Sequence, residues 1–212
     1  MRVSKLNKIL GKSFLLFGMV VLMVSCSSKT FDSREELMAY VTDSDNGYVQ
    51  HKNINGVDFS ITYRPTDVLV HQELMDTTSK EELDSLRNKY GKYMYFNLSI
   101  SKNNKEVLNS INSSRADFGA MVNQLAFGMG DKVHLIGKHR DTVELLDYIY
   151  PREYGMGGAT TMMFVYPREE KVLNDDFFQF TIEDIGLKTG EVGFKIPSKP
   201  INNEPKLNFS TR

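Results

Sequence analysis

The chain holds a single cysteine, Cys26, among 212 residues. With one thiol no disulfide can close within the chain, and neither cysteine-ligated zinc nor thiol catalysis is open to a folded domain beyond it. Histidine is scarce as well: His51, His71, His134 and His139 are the full set. None forms H-E-x-x-H or a helical metal-ligand spacing, and His134 and His139 are predicted on opposite faces of a strand, so no metal site is expected. There is no G-x-S-x-G, so a hydrolase elbow has no support. Gly155-Met156-Gly157-Gly158 lacks both the Lys-Ser/Thr of a P-loop and the G-x-G-x-x-G order of a dinucleotide turn, and reads as a loop between strands. No catalytic residue and no cofactor is therefore expected. Paired carboxylates distant in the chain would escape such a search, so a hydrolase of envelope polymers stays as an alternative. Long apolar runs are missing too. The one from Phe14 to Val24, broken only by Gly18, falls short of the about 20 residues a spanning helix needs.

What is present begins with that run. Arg2, Lys5, Lys8 and Lys12 precede it with no acidic residue, which makes a basic n-region followed by an apolar h-region. It ends in Leu22-Met23-Val24-Ser25-Cys26, which resembles the lipobox read by lipoprotein signal peptidase, with Met23 where Leu is usual. The resemblance implies that residues 1–25 are removed and that Cys26 is lipidated as the mature N-terminus. Two or three acyl chains, at about 0.8 kcal/mol per buried CH₂, would hold the protein on a membrane. Loss of residues 1–25 removes four basic and no acidic side chains from 26 and 27, leaving a net charge near −5. That mild acidity disfavours nucleic acid as a partner.

The about 187 remaining residues suit one domain. Residues 26–30 read as a short tether and 31–212 as a single β-rich globular domain, since no linker, repeat or low-complexity tract divides them. Ser33 with Glu36 and Ser79 with Glu82 form capping boxes for two helices, and Ser114 caps a third expected over 115–127. On that third helix Phe118, Met121, Val122 and Leu125 are expected to face inward. Asn55-Gly56 predicts a type I′ hairpin turn. The residues after it alternate: Val57, Phe59, Ile61 and Tyr63 inward, Asp58, Ser60, Thr62 and Arg64 outward, until Pro65 closes the strand. Met94, Phe96, Leu98 and Ile100 define another strand, with Tyr93 and Tyr95 on its wet face. Further strands are predicted over 132–136, 142–150, 160–166, 177–185 and 191–196. The fold class is α+β, an antiparallel β-sandwich-like core with about three appended helices.

The segment 148–158 carries Tyr148, Tyr150, Arg152 and Tyr154 beside the glycine run, a combination suited to partner recognition on a loop. Rings folded inward under a simple connector are the competing reading.

The strings VDFSITYRPTDVLVHQEL, YFNLSISKNNKEVL and FFQFTIEDIGLKTGEVGFKI resemble a family of uncharacterised lipoproteins from Bacteroidetes. The resemblance covers most of the mature chain and implies a two-membrane envelope, with the protein on the periplasmic or surface face of the outer membrane. It carries over no active-site residue. Asp76-Thr77-Thr78, Asp84-Ser85-Leu86 and Asp141-Thr142-Val143 also resemble the O-glycosylation triplet of that phylum. The expected role is a non-catalytic binding or scaffolding module that meets an envelope protein, with a structural accessory lipoprotein of a secretion machine as another alternative.

Overall fold

A computed structural model describes residues 28–74, 79–111, 114–153 and 156–209. The signal-like segment 1–25, Cys26, Asp76-Thr77-Thr78 and Tyr154 lie outside these residues. The architecture is α+β, with antiparallel sheets carrying the core.

The chain starts with β1 (Thr30–Phe31) and α1 (Arg34–Thr42), whose first turn is capped by the Ser33 hydroxyl accepting from Glu36 N at 3.2 Å. Gly47, at φ 79°, takes the left-handed conformation that turns the chain into β2 (Val49–Ile54). Asn55 at φ 54° and Gly56 at φ 78° form the expected type I′ turn into β3 (Val57–Arg64). There follow α2 (Thr66–Glu73), α3 (Lys80–Tyr90), β4 (Tyr93–Lys102) and β5 (Lys105–Glu106). The helix α4 (Arg115–Asn123) runs on into a π turn over Gln124–Gly128. The second half comprises β6 (Val133–Gly137), β7 (Thr142–Val143), β8 (Asp147–Ile149), β9 (Thr160–Pro167), α5 (Glu170–Leu173), β10 (Phe177–Ile182), β11 (Val192–Pro197), α6 (Ser198–Asn202) and β12 (Lys206–Leu207).

Strands β2-β3-β4-β9-β8 pair in that order, with β5 added on β4, to make a six-stranded sheet; β11-β10-β6-β7 make a four-stranded one. The two sheets meet through aromatic rings. Phe96 of β4 lies 6.0 Å from Phe178 and 5.6 Å from Phe180 of β10, and Phe164 of β9 lies 5.8 Å from Phe180. All four rings are fully buried, each worth about 1.5–3 kcal/mol of transfer free energy.

The three expected helices form, and α2, α5 and α6 are additional. The apolar period is absent from α2 because residues 66 to 70 are buried in succession. Its cap also comes from far away: Thr66 N donates to Glu204 Oε2 at 2.9 Å and Thr66 Oγ1 to Glu204 Oε1 at 2.8 Å. The other two additions have four and five residues, too short for a periodic signal.

The strand expected over 142–150 is two strands in different sheets. Leu135 pairs with Val143 in one and Phe164 with Tyr148 in the other, so the chain crosses between sheets at 144–146. Two side chains change sides relative to expectation. Tyr95, predicted to be wet, is 6% exposed under the rings of Tyr90 and Tyr93, at 6.2 and 6.4 Å. Burial, and then the neighbouring Tyr90 and Tyr93, push its hydroxyl pKa up to about 12. Phe118, predicted to face inward, is 45% exposed, while Met121 and Leu125 are buried as expected.

Residues from both termini are tied together. Thr30 and Phe31 pair in parallel with Lys206 and Leu207. Asp67 of α2 accepts from Leu207 N at 2.8 Å and receives a bidentate Arg87 fork at 2.8 and 2.7 Å.

Candidate functional site

The segment 145–158 follows the crossover between sheets. Its strand β8 is one edge of the six-stranded sheet and, among the described residues, pairs only with β9. An edge strand of three residues alternates its side chains, so Tyr148 turns inward while Asp147 and Ile149 turn out. The Tyr148 ring stacks on buried Phe164, centroids 5.6 Å apart and planes at 19°, and burial raises its pKa. Tyr150 also packs against the core cluster. Arg152 takes the other direction: its guanidinium lies 6.0 Å from the centroid of the Phe127 ring. Of the four expected contact residues, then, two are half-buried tyrosines, one is an exposed arginine, and Tyr154 lies outside the described residues.

The glycine run is held by carboxylates. Gly157 N donates to Glu106 Oε1 at 2.8 Å, and Glu106 is itself 1% exposed. A Cβ on Gly157 would run into the Glu153 carboxylate and lie 2.9 Å from Glu106 Oε1, so any other residue there would have to push both carboxylates aside. A phosphate brought to this loop would meet two carboxylates, which removes the phosphate-cradle reading on electrostatic grounds.

Five large apolar side chains stand exposed among the described residues: Phe118, Phe127, Leu146, Ile149 and Met156. All five belong to two segments, 118–127 and 146–156. These segments meet at one end, where the Arg152 guanidinium lies 6.0 Å from the Phe127 ring and, just past the first segment, a Cβ on Gly130 would sit 3.7 Å from Leu145 Cδ2 and 3.9 Å from Tyr148 Cε1. Phe127 is 76% and Met156 87% exposed. Scattered exposed apolar residues need no explanation, but large ones gathered in touching segments mark interaction surfaces. A signal for part of this existed in the sequence: Leu145 and Leu146 are adjacent, and an extended chain cannot turn both to the same side. Phe127 carried one too: two residues past Leu125, about 200° further round a helix, it falls on the side opposite the inward Met121 and Leu125.

Two further groups of titratable side chains are paired locally. Glu183 accepts from Lys132 Nζ at 2.7 Å and lies 3.1 Å from His134 Nε2; the Lys132 hydrogen bond and then His134 hold its carboxyl below the usual range. His139 lies 3.5 Å from Asp175. Among the described residues no group of three His, Cys, Asp or Glu side chains converges as metal ligands would. No helix among them is long and apolar enough to cross a membrane.

No family model, no curated protein and no solved structure matches this chain.

Proposed function

We propose that the protein is a lipid-anchored envelope module that binds or scaffolds a protein partner without catalysis, and that the partner docks on the surface formed by residues 118–127 and 146–156. The observation that carries the reading is the gathering of the exposed large apolar side chains into these two touching segments, with Arg152 beside them. Aromatic and arginine anchors amid apolar surface are what protein interfaces spend their binding energy on. In this reading Tyr148 and Tyr150 buttress the strand from inside, and Phe127, Ile149 and Arg152 touch the partner.

Membrane attachment rests on the lipobox resemblance at Cys26. Four peptide steps separate Cys26 from Thr30, which pairs with β12, so the anchor would lie at most about 14 Å from that end of the domain. The β1–β12 end would then face the lipid.

A photocrosslinking amino acid at position 127 or 149, in cells, should trap a defined envelope protein, and one at position 53 on β2, the opposite sheet edge, should not. Phe127→Ser combined with Ile149→Ser should abolish the crosslink from a probe at position 156 while the melting temperature stays within about a degree. Crosslinks that persist in the double variant would overturn the assignment of this surface.

A further inference from the structure

The six-stranded sheet has a second face, and its residues follow from register alone. Cross-strand pairing sets His51, Ser60, Ser99 and Thr161 in one row across β2, β3, β4 and β9. The next row holds Val49, Thr62, Asn97 and Met163 and ends on Ile149 of β8. The row on the hairpin side holds Asn53, Asp58 and Ser101, with Asn53 Nδ2 donating to Asp58 Oδ1 at 2.6 Å. Neighbouring strands stand about 4.8 Å apart and same-face residues along a strand about 6.6 Å, so the small hydroxyls form a regular lattice. A groove of about 400 Å³ opens on it, lined by His51, Asn53, Ser60, Ser99 and Ser101 among others.

Arg64 reaches onto this lattice from the end of β3. Its only polar contact among the described residues is Met163 Sδ at 3.9 Å, a weak acceptor. Arg87 and Arg168, also half-buried, each hold a carboxylate, at 2.7 and 3.3 Å. Arg64 has none among the described residues. Burial and then the charge of Arg34 lower its pKa, as for a cation without its counter-charge.

We propose that this face binds an anionic polysaccharide, the hydroxyls of Ser60, Ser99 and Thr161 and the Asn97 amide meeting sugar hydroxyls while Arg64 takes a carboxylate or sulfate of the chain. The chemistry selects this occupant. Between β2 and β4 the three rows carry no aromatic ring and one aliphatic side chain, Val49, which is 4% exposed, so they present no apolar anchor of the kind a protein interface needs. They offer no apolar surface to insert into a bilayer either. A half-buried guanidinium lacking its anion, beside donors and acceptors in a flat array, complements a polyhydroxylated chain of the opposite charge.

Binding of polygalacturonate, dextran sulfate and uncharged dextran to the full-length protein in detergent tests this. Polygalacturonate or dextran sulfate should bind, which of the two telling carboxylate from sulfate, and dextran should bind at least tenfold more weakly. Arg64→Gln and, separately, Ser99→Val should each weaken the anionic ligand at least tenfold. Valine suits a strand, so Ser99→Val keeps the test open should Arg64→Gln fail to fold. Phe127→Ser should leave polysaccharide binding unchanged, which separates this surface from the partner-docking one. Dextran binding as tightly as the anionic polymers, or unaltered affinity in both sheet variants, would overturn the proposal. So would binding to phosphatidylglycerol vesicles that Arg64→Gln abolishes while no polysaccharide binds.

Discussion

Gly56 occupies the second position of the β2–β3 turn at φ 78°, and a Cβ there would meet no atom within 4 Å. Its requirement is purely conformational. Gly56→Val forces a β-branched side chain into the left-handed region, which costs over about 1 kcal/mol. The thermal midpoint should fall by several degrees, and an unchanged midpoint would mean that the turn relaxes to another type. Asp184 shows the opposite case, a side chain required for its charge. Its carboxylate accepts from Gly186 N at 2.9 Å, Leu187 N at 2.8 Å, Lys188 N at 3.1 Å and Gly190 N at 3.4 Å. Burial pushes its pKa up, but these four backbone donors together outweigh it and hold the carboxyl below its usual value. With a depressed folded pKa, the contribution is complete above the unfolded value of about 3.9 and is lost as pH falls through the folded one. Asp184→Ala should therefore destabilise at pH 7 by about 1 kcal/mol, and the gap from wild type should narrow as pH falls below the unfolded value of about 3.9. Denaturant titrations at both pH values measure it.

At the scale of elements, α2 illustrates how a helix can exist without a local reason. Pro65 supplies no side-chain cap, and the N-terminal N–H of Thr66 is satisfied by Glu204, 138 residues away. The same carboxylate accepts from the Tyr63 hydroxyl at 2.8 Å and from Arg168 at 3.3 Å. Glu204→Gln would set an amide's donors against this ring of donors. The expected loss is about 2–3 kcal/mol, read from chemical unfolding. Amide exchange should accelerate first in Thr66–Glu73 and in Lys206–Leu207, which Asp67 ties to it. Uniform acceleration across both sheets would show that the network is not a local staple. Alternation was readable for β3, β4 and β9 because each buries one face. The segment 142–150 was not, because two short strands separated by three residues mimic one long one, and only their different partners distinguish them.

For the whole molecule, the order of surfaces follows from one edge and one face of the same sheet. The apolar segments stand at the β8 edge, and the hydroxyl rows spread over β2, β3, β4 and β9. If Cys26 carries lipid, the β1–β12 end lies against the membrane. Cys26→Ala should abolish metabolic labelling by an alkynyl fatty acid and leave a precursor or a released protein. Undiminished labelling would sink the anchor.

Read by itself, the sequence determined the α+β class, the Asn55-Gly56 turn and the capped helices α1, α3 and α4, all of which depend on neighbours within a few residues. It also placed the expectation of lipid at Cys26. Only the tertiary structure decided that Tyr95 and Tyr148 are covered and that Arg64 has no carboxylate beside it among the described residues. Periodicity shows which side of an element a residue occupies, but burial depends on what arrives over that side. For Tyr95 the covering group is Tyr90 of α3, and for Tyr148 it is Phe164 of β9. Such contacts are set by how the sheets and helices close on one another, a relation between distant segments that no local pattern records.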